Sequence, residues 1–247
     1  SKKLKANAGS TFIGKFFIAA FIFFILYFVV SKIFNSLSSA DAVLIKNIEI
    51  ISTENITKAE IKAALPFKEG DSLITADLSR AEKEIAKSKP EFQSISISRG
   101  WKKVSVKVQE RKPEAFVKNA NSIMAIDSSG VVFPLRGFMS AANVPTISYK
   151  NDNEQKEILN FIHLLKAADK SFLDGVSNIQ FTNSKGFVLI TDENAVIHWG
   201  NADYGRLKNK IDAFKKAFVS AKSNNEKIDY VDMTFYDNGR IIINHKK

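Results

Sequence analysis

Cysteine is absent from this chain of 247 residues, and that absence excludes three kinds of site. Without thiols there is no disulfide framework, no thiolate metal centre and no cysteine nucleophile. Histidine is scarce too, since His163, His198 and His245 are the only three and none has another histidine at metal-ligand spacing. The sequence also lacks a glycine-rich phosphate loop. We therefore predict that the protein holds no metal and no cofactor.

Acidic residues are missing from the first forty positions, although five lysines lie there. The rest of the chain carries 31 basic and 26 acidic residues, so half of the net charge of +10 comes from this short segment. Only six of the basic residues are arginines, and the lysines are scattered among acids instead of forming a dense basic face with interleaved aromatics. This pattern argues against a nucleic-acid partner and indicates that most lysines lie on a solvated surface.

A long apolar run follows the basic start. Residues 16–31 ("FFIAAFIFFILYFVVS") carry no charge, and Lys15 and Lys32 flank them. Lysines at such positions extend their ammonium groups to the membrane interface while their stems stay in the apolar layer. With its apolar flanks, a helix over residues 12–34 would be about 35 Å long and would cross a hydrocarbon core of about 30 Å. We predict a transmembrane helix at residues 16–34.

A cleaved signal peptide is the alternative interpretation, because "SSA" at residues 38–40 resembles a peptidase site. Ten residues separate Val30, at the end of the apolar core, from Ala40, and Lys32 interrupts that approach. These features favour an uncleaved anchor. Because four lysines and no acid precede the run, the positive-inside rule places residues 1–15 in the cytoplasm and the rest of the chain outside.

A small α+β module is predicted after a polar linker at residues 35–43. Its expected elements are a strand at residues 43–52, a helix that begins at Thr57, a second helix at 77–88 and a hairpin at 92–108. The first helix starts with a capping box, in which Thr57 and Glu60 satisfy free amides reciprocally. The expected order over residues 44–112 is therefore strand, helix, helix, strand, strand.

A larger unit is predicted at residues 113–247. Its expected elements are a hairpin turning at residues 127–130, a helix at 154–168, three short strands within 176–200, a long helix marked by Tyr204, Leu207, Ile211, Phe214 and Phe218, and a final hairpin turning at 237–239. Asp203 is the expected cap of the long helix. The pattern predicts an α+β unit with a mostly antiparallel sheet and helices on one face.

Three segments carry a recognisable combination of residues: "VQERKPEAFV" at 108–117, "AIDSSGVVFP" at 125–134 and "YVDMTFYDNG" at 230–239. With the preceding strand and helix order, they resemble the FtsQ/DivIB family of bacterial cell-division proteins. The first is similar to the Val-x-Glu-Arg-x-Pro exit of the family's POTRA domain, and the others to two later family hairpins. In the last segment the chain has one residue more than the common pattern, and Thr234 or Phe235 replaces an expected arginine.

The resemblance implies a noncatalytic, single-pass scaffold of the divisome at the division septum, in the cytoplasmic membrane, with its outer domains in the periplasm of a Gram-negative cell. It implies a POTRA domain at 44–112 that recruits other division proteins, and an FtsQ-like β domain at 113–247. In the family, the last hairpin and the helix before it bind FtsB, a membrane protein paired with FtsL in a coiled coil. The corresponding positions here are Tyr236, Asn238, Gly239, Arg240, Ile242 and Asn244, with Lys227 as a further basic contact.

The final strand is also a candidate site on its own chemistry. It closes the sequence, so we expect no later segment to cover its outer edge. Arg240, His245 and the terminal lysines deter indiscriminate pairing. Such an edge can still accept one partner strand through backbone hydrogen bonds. A plain edge strand without a partner is the alternative.

Catalysis is not predicted. Asp229 with Asp232, and Glu154 with Glu157, are pairs of carboxylates, but neither pair has a nucleophile or a phosphate loop beside it. His163 lies among leucines in a predicted helix and is interpreted as a structural residue. We expect no enzyme activity and no small-molecule substrate.

Two other functions stay open at this point. The first is a secreted adaptor for envelope assembly, released by cleavage before Asp41, and the second is an envelope hydrolase. Trp101, in the turn of the first predicted hairpin, is either an interfacial or binding aromatic or a ring packed over a lysine stem.

Overall fold

A computed structural model of the chain describes residues 8–38, 43–52, 56–119, 122–137, 142–222 and 227–246. The helices among them are α1 (Ala8–Ser38), α2 (Lys58–Ala64), α3 (Leu78–Ser88), α4 (Asp152–Ala168) and α5 (Leu207–Lys222). The strands are β1 (Asn47–Ile51), β2 (Phe92–Gly100), β3 (Lys103–Glu110), β4 (Ala115–Asn119), β5 (Ser122–Ile126), β6 (Val132–Pro134), β7 (Thr146–Ser148), β8 (Val176–Thr182), β9 (Gly186–Thr191), β10 (Val196–Gly200), β11 (Ile228–Asp232) and β12 (Ile242–His245).

The chain divides into two compact units. The first consists of Ser1–Ser52, Thr57–Ile85 and Ile95–Val108, and the second of Thr53–Ile56, Ala86–Ser94 and Gln109–Lys247.

Helix α1 contains the predicted membrane segment. Its part from Lys15 to Phe34 is 20 residues long, apolar, and not buried against the rest of the described protein. Phe23, for example, is 78% exposed. A helix that is apolar on all sides and uncovered by protein has the length and composition needed to cross a membrane. Residues 39–42, which include the end of the alternative cleavage signal, lie outside the described residues, so an uncleaved anchor stays a prediction.

The first sheet has the strand order β1-β3-β2, with β1 parallel to β3 and Asn47 opposite Lys103. Its core is formed by alternate strand residues and the inner faces of α2 and α3: Ile48, Ile50, Ile61, Leu78, Ala81, Ile85, Val104, Val106 and Val108. The predicted order of strand, helix, helix, strand, strand is confirmed. The capping box is confirmed as well, because Thr57 Oγ1 accepts from Glu60 N–H at 3.2 Å while Glu60 Oε2 accepts from Thr57 N–H at 3.0 Å.

The second sheet has nine strands in the order β12-β11-β10-β9-β8-β7-β4-β5-β6. Antiparallel pairs are in the majority, as predicted, but three pairs are parallel: β10 with β11, β7 with β8, and β4 with β7. Helix α4 connects β7 to β8 and α5 connects β10 to β11, so each is the crossover that a parallel pair requires. Both crossovers proceed in the same direction across the sheet between strands of the same orientation. Because such connections have one preferred hand, both helices lie on the same face.

An aromatic cluster lies at the centre of the second unit. The rings of Phe161 in α4 and Phe187 in β9 are stacked with centroids 3.9 Å apart. Trp199 in β10 is fully buried and contacts Phe172 and Phe214 edge to face. Such contacts stabilise a core beyond the free energy of apolar burial, by about 0.5–1.5 kcal/mol for each pair. The predicted inner faces of both helices are therefore the ones that pack on the sheet.

The start of α5 differs from the prediction in two respects. Helix α5 begins at Leu207, and Tyr204 lies before it with its side chain 61% exposed, so Tyr204 is not part of the apolar helix face. Asp203 adopts a left-handed backbone (φ +54°) and does not occupy the cap position. Its carboxylate instead lies near two cations, 3.8 Å from Arg206 and 3.6 Å from Lys210.

Arg111 and Asp127 give two of the sequence motifs a structural role within the second unit. Arg111 donates from Nη1 to Asp127 Oδ2 at 2.5 Å and from Nε to the carbonyl of Pro90 at 2.9 Å. Asp127 Oδ1 accepts the backbone N–H groups of Ser129 and Val131. Burial alone would raise the pKa of Asp127, but the hydrogen bonds from Ser129 and Val131 and the Arg111 contact outweigh it and lower that pKa. These motif residues therefore stabilise the turn between β5 and β6.

A pH-dependent contact joins α4 to α5. The carboxylate of Asp169 accepts from Lys215 Nζ at 2.6 Å and from the Ser171 hydroxyl at 2.9 Å, and these contacts lower the pKa of Asp169 to about 2. We expect the Asp169→Asn variant to melt at a lower temperature than the wild type at about pH 7. Because the folded pKa lies below the unfolded value of about 3.9, this stabilisation is present above that value and is lost as the pH falls toward 2. Thermal unfolding of both proteins from about pH 7 to pH 3 tests this; a difference that grows as the pH falls would contradict it.

Candidate partner-binding edge

Strand β12 occupies the end of the nine-stranded sheet. It pairs antiparallel with β11, and the register places Ile242 opposite Asp232 and Asn244 opposite Tyr230. Within the described residues, β11 is the only strand beside it. The other side of β12 is therefore an open edge whose backbone groups can pair with an additional strand.

The connection from β11 to β12 is not the tight hairpin that the sequence predicts. Strand β11 ends at Asp232, whose Oδ1 accepts from Thr234 N–H at 2.9 Å and from Thr234 Oγ1–H at 2.6 Å. Met233 is fully buried and donates its N–H to the carbonyl of His198. A single turn of 3₁₀ helix then covers Tyr236–Asn238, and Gly239 follows in the left-handed region at φ +71°. The predicted turn residues are thus part of a nine-residue connection.

Side chains alternate along the last strand. Ile241 and Ile243 pack against the core of the second unit, whereas Ile242 is 44% exposed and Asn244 is exposed. The exposed pair belongs to the sheet face opposite α4 and α5, because residues two apart on a strand share a face. A strand added at this edge would place side chains directly beside Ile242 and Asn244.

Ile242 and Asn244 also end two rows of side chains that run across the sheet. In one row Ile242 is followed by Asp232 and His198, and in the other Asn244 is followed by Tyr230 and Val196. The rings of His198 and Tyr230 lie 6.0 Å apart, in contact between the two rows. Cross-strand neighbours of this kind stabilise a sheet by about 0.2–1 kcal/mol each. A partner strand would extend both rows by one position.

The seven predicted site residues do not form one continuous strand surface. Ile242 and Asn244 lie on β12, and Lys227 lies at the far end, where its carbonyl accepts from Lys246 N–H at 2.7 Å. The remaining four are in or next to the connection: Tyr236, Asn238, Gly239 and Arg240. Of the seven, only Tyr236 is half-buried and packed against the core.

Tyr236 is held by a buried lysine. The ammonium group of Lys210, which is only 2% exposed, lies 5.9 Å from the Tyr236 ring centroid and 5.1 Å from that of Trp199. The same group donates to the carbonyls of Trp199 and Asn201 at 2.8 and 3.4 Å. Lys210 therefore connects α5 to the end of β10 and to the connection that precedes β12.

Replacing Tyr236 tests whether its ring stabilises the fold. We expect Tyr236→Ala to lower the free energy of unfolding by about 2–4 kcal/mol, because it removes a packed ring and its contact with Lys210. Tyr236→Phe keeps the ring and should unfold like the wild type. Denaturant unfolding of the three proteins measures this. Equal stability of the alanine variant and the wild type would show that the ring does not support the fold.

The charge of this edge is predominantly basic. Lys227, Arg240 and Lys246 are exposed there. Two acids lie in the same region: Asp237, whose carboxylate pairs with Arg206 at 2.6 Å, and Asp232, whose carboxylate accepts from Thr234. A partner segment with acidic residues beside an apolar strand would therefore complement this edge.

Phe235 is a candidate contact residue that the sequence patterns do not indicate. It lies at the start of the 3₁₀ turn and is 47% exposed, although the sequence places it in a strand. The combination of Asp232 with Thr234 could have located this break, because short polar side chains at this spacing satisfy the backbone of a turn. Phe235 is therefore an additional candidate contact next to β12.

Two of the four carboxylates considered for catalysis have structural roles. Asp232 caps the turn after β11, and Glu154 Oε2 accepts from Lys150 N–H at 2.7 Å at the start of α4. In the parts of the chain that the structure describes, no group of three His, Asp or Glu side chains is placed to hold a metal ion.

Two family models match the sequence. The model described as "POTRA domain, FtsQ-type" matches residues 43–111, and "Cell division protein FtsQ/DivIB, C-terminal" matches residues 115–234. The second match ends before β12, so the exposed edge residues lie beyond it.

Several proteins named "Cell division protein FtsQ" are similar to the chain. The protein of Geobacter sp. (strain M21) is 23% identical over 219 residues, which are 83% of this chain and 78% of that protein. The one of Streptomyces venezuelae is 21% identical over 178 residues, 68% of this chain and 65% of that protein. The one of Corynebacterium glutamicum is 20% identical over 163 residues, 64% and 71% respectively. None of these three names describes an enzyme.

Proposed function

The chain belongs to the FtsQ/DivIB family of cell-division proteins, and we propose that it acts there as a noncatalytic membrane scaffold of the divisome. Helix α1 holds it in the cytoplasmic membrane at the division septum, with the N-terminus in the cytoplasm. The domains at residues 44–112 and 113–247 lie on the outer side, which is the periplasm in a Gram-negative cell. The absence of acid among the residues before the apolar run supports this orientation.

The open edge of β12 is the observation that carries the proposal. Its unpaired side and the exposed side chains of Ile242 and Asn244 suit strand addition, in which backbone hydrogen bonds provide affinity and side-chain contacts provide selectivity. The bound segment is a strand of an FtsB-like single-pass protein that pairs with an FtsL-like one in a coiled coil. The basic residues Lys227, Arg240 and Lys246 favour an acidic partner segment.

The membrane anchor contributes to this interaction by confinement. Two single-pass proteins in the same membrane meet at a much higher effective concentration than in solution, so a short strand suffices for lasting association. The POTRA domain, predicted at residues 44–112, would bind other division proteins in the same way, through surfaces separate from β12. One scaffold thereby keeps several division proteins together.

Site-specific cross-linking in growing cells tests the partner. A benzophenone amino acid is introduced in place of Asn244 on β12 and, as a control, in place of Ile123 on β5. Ile123 is 57% exposed in the same sheet but away from the β12 edge. We expect the Asn244 position to cross-link one small single-pass coiled-coil protein and the Ile123 position to give no such product. Equal cross-linking from both positions, or none from Asn244, would reject the β12 edge as the site.

The N-terminal peptide of the same membrane-extracted protein is identified by mass spectrometry. A chain that retains residues 16–34 supports the anchor. A chain that begins at Asp41 would replace the scaffold by a secreted adaptor for envelope assembly.

A further inference from the structure

Trp101 is the most exposed large apolar side chain in the described part of the protein. It lies in the turn between β2 and β3, and 82% of its surface is exposed, a larger fraction than the 78% of Phe23 in α1. The ring is therefore not packed over a lysine stem. Exposed apolar residues scattered over a surface are ordinary, but a tryptophan at a protruding turn is a candidate contact.

The backbone of this turn contains a residue in the left-handed region. Lys102 adopts φ +52°, which is uncommon for a residue with a side chain. A Cβ atom on Gly100 would come within 2.8 Å of Lys103 Cγ, so a larger residue there would displace the Lys103 side chain. The turn therefore presents Trp101 next to Lys102 and Lys103.

Chain geometry places this turn near the membrane. Strand β1 runs parallel to β3, and Lys46 N–H donates to the carbonyl of Lys102 at 2.8 Å, so the turn lies beside the start of β1. Lys46 follows the end of α1 at Ser38 by eight residues. Eight residues span at most about 28 Å when fully extended. The turn is therefore confined to the neighbourhood of the membrane that holds α1.

The chemistry of the turn matches a lipid headgroup layer. Tryptophan is enriched at membrane–water interfaces, where its apolar ring and its N–H group each find a suitable environment. Lys46, Lys102 and Lys103 supply positive charge, and Glu49, the acid facing them, is paired with Lys103 at 3.0 Å. Lysines near an anionic lipid surface are attracted to it.

We propose that Trp101 inserts into the outer headgroup layer of the membrane that holds α1, with Lys102 beside anionic phospholipids. The hairpin turn is then a second membrane contact of the first unit. The inference rests on the proposed function only for its membrane anchor, not for its partner. Because the tether keeps the turn at a high local concentration near the bilayer, even a weak contact is substantially populated.

Tryptophan fluorescence of the full chain tests this contact. The protein is reconstituted into vesicles of phosphatidylethanolamine and phosphatidylglycerol whose acyl chains carry bromine, which quenches nearby indole rings. Trp101 and Trp199 are the only tryptophans, and Trp199 is fully buried in the second unit. The Trp101→Phe variant therefore reports the signal of Trp199 alone. We expect strong quenching in the wild type and little in the variant.

The lysine contribution is tested with a matched pair. Lys102→Gln removes a charge at the turn, whereas Lys107→Gln removes one from an exposed position farther along β3. We expect Lys102→Gln to lower the docking equilibrium about fivefold on anionic vesicles, and Lys107→Gln to leave it unchanged. On purely zwitterionic vesicles the two variants should behave alike.

Two results would overturn the proposal. If the wild type and Trp101→Phe are quenched equally, the turn is not at the membrane. If Trp101 is unquenched in vesicles but its emission shifts to the blue when a coiled-coil partner is added, the turn binds protein instead of lipid. If Trp101 is quenched but no partner is captured through β12, the membrane contact stands and the proposed scaffold function is rejected. If a partner is captured but Trp101 is not quenched, the scaffold function stands and the membrane contact is rejected.

Discussion

Replacement of Lys210 by alanine is expected to lower the free energy of unfolding by about 3–5 kcal/mol, the range for breaking a buried charged contact from one side. Its ammonium group lies 2.8 Å from the Trp199 carbonyl and 3.6 Å from Asp203, and the residue is only 2% exposed. The variant would leave a buried carbonyl oxygen without its donor and a cavity beside Trp199. The end of β10 and the connection that carries Tyr236 would then lose their common support.

Two further variants isolate the cause. Lys210→Met fills most of the volume of the lysine but cannot donate a hydrogen bond. It should therefore be more stable than Lys210→Ala and less stable than the wild type. Lys208→Ala, at a largely exposed position of the same helix, should change the free energy of unfolding by less than about 0.5 kcal/mol. Urea unfolding of the four proteins makes the comparison. If the alanine variants at 210 and 208 were equally stable, the buried ammonium group would have no supporting role.

The effect of Lys210 should also depend on pH. Burial lowers the pKa of Lys210, and the carboxylates of Asp203 and Asp237 offset part of that shift. Between the lowered folded pKa and the unfolded value of about 10.4, the unfolded chain binds more protons than the folded one. The stability of the wild type relative to Lys210→Met should therefore rise as the pH rises through this window. A relative stability that falls with pH would contradict the sign of the shift.

Local signals explain why much of the fold follows from the sequence. The capping box of Thr57 and Glu60, the apolar spacing of α4 and the turn residues around Gly130 each act within a few residues. Element order could therefore be predicted, and with it the strand, helix, helix, strand, strand pattern of the first sheet. Even the burial of Lys210 is indicated by its neighbours in the sequence, because it lies three residues after Leu207 and next to Ile211 on the apolar face of α5.

Contacts between distant residues explain what could not be predicted. The pairing of Arg111 with Asp127 joins residues 16 positions apart in the chain, so the two motifs that contain them look unrelated in the sequence. Strand β11 ends early because Met233 is drawn into the core and Asp232 satisfies the next turn, which moves Tyr236 off the strand. The exposure of Trp101 depends on whether any other element covers the turn, and no residue spacing reveals that.

Replacement of Ile242 by glutamate is expected to weaken capture of the coiled-coil partner by about thirtyfold or more, the affinity equivalent of about 2 kcal/mol for a central interface residue. Ile242 is 44% exposed in the free protein, so a carboxylate there is solvated, and its position opposite Asp232 should destabilise the fold only slightly. When a partner strand adds beside β12, the same carboxylate would lose water without gaining a donor. The loss should therefore be large in binding and small in thermal stability.

Ile123→Glu is the matched control for this variant. Ile123 is exposed to a similar extent, 57%, and lies on β5 of the same sheet, away from the β12 edge. Both variants are extracted from membranes in the full chain, their melting temperatures are compared, and the captured partner is quantified against the wild type. Only Ile242→Glu should lose the partner, and both variants should have melting temperatures close to that of the wild type.

Charge at the same edge provides an independent check on this mechanism. Arg240→Glu changes a position next to β12, and if acidic residues of the partner face this edge it should slow association, an effect that added salt would reduce. Ile242→Glu should instead speed dissociation, because it acts after the strand has docked. If neither variant affects capture, while a change at Phe235 does, the binding surface is the 3₁₀ connection and not the strand edge. That outcome would retain a partner site in this region but exclude strand addition as its mechanism.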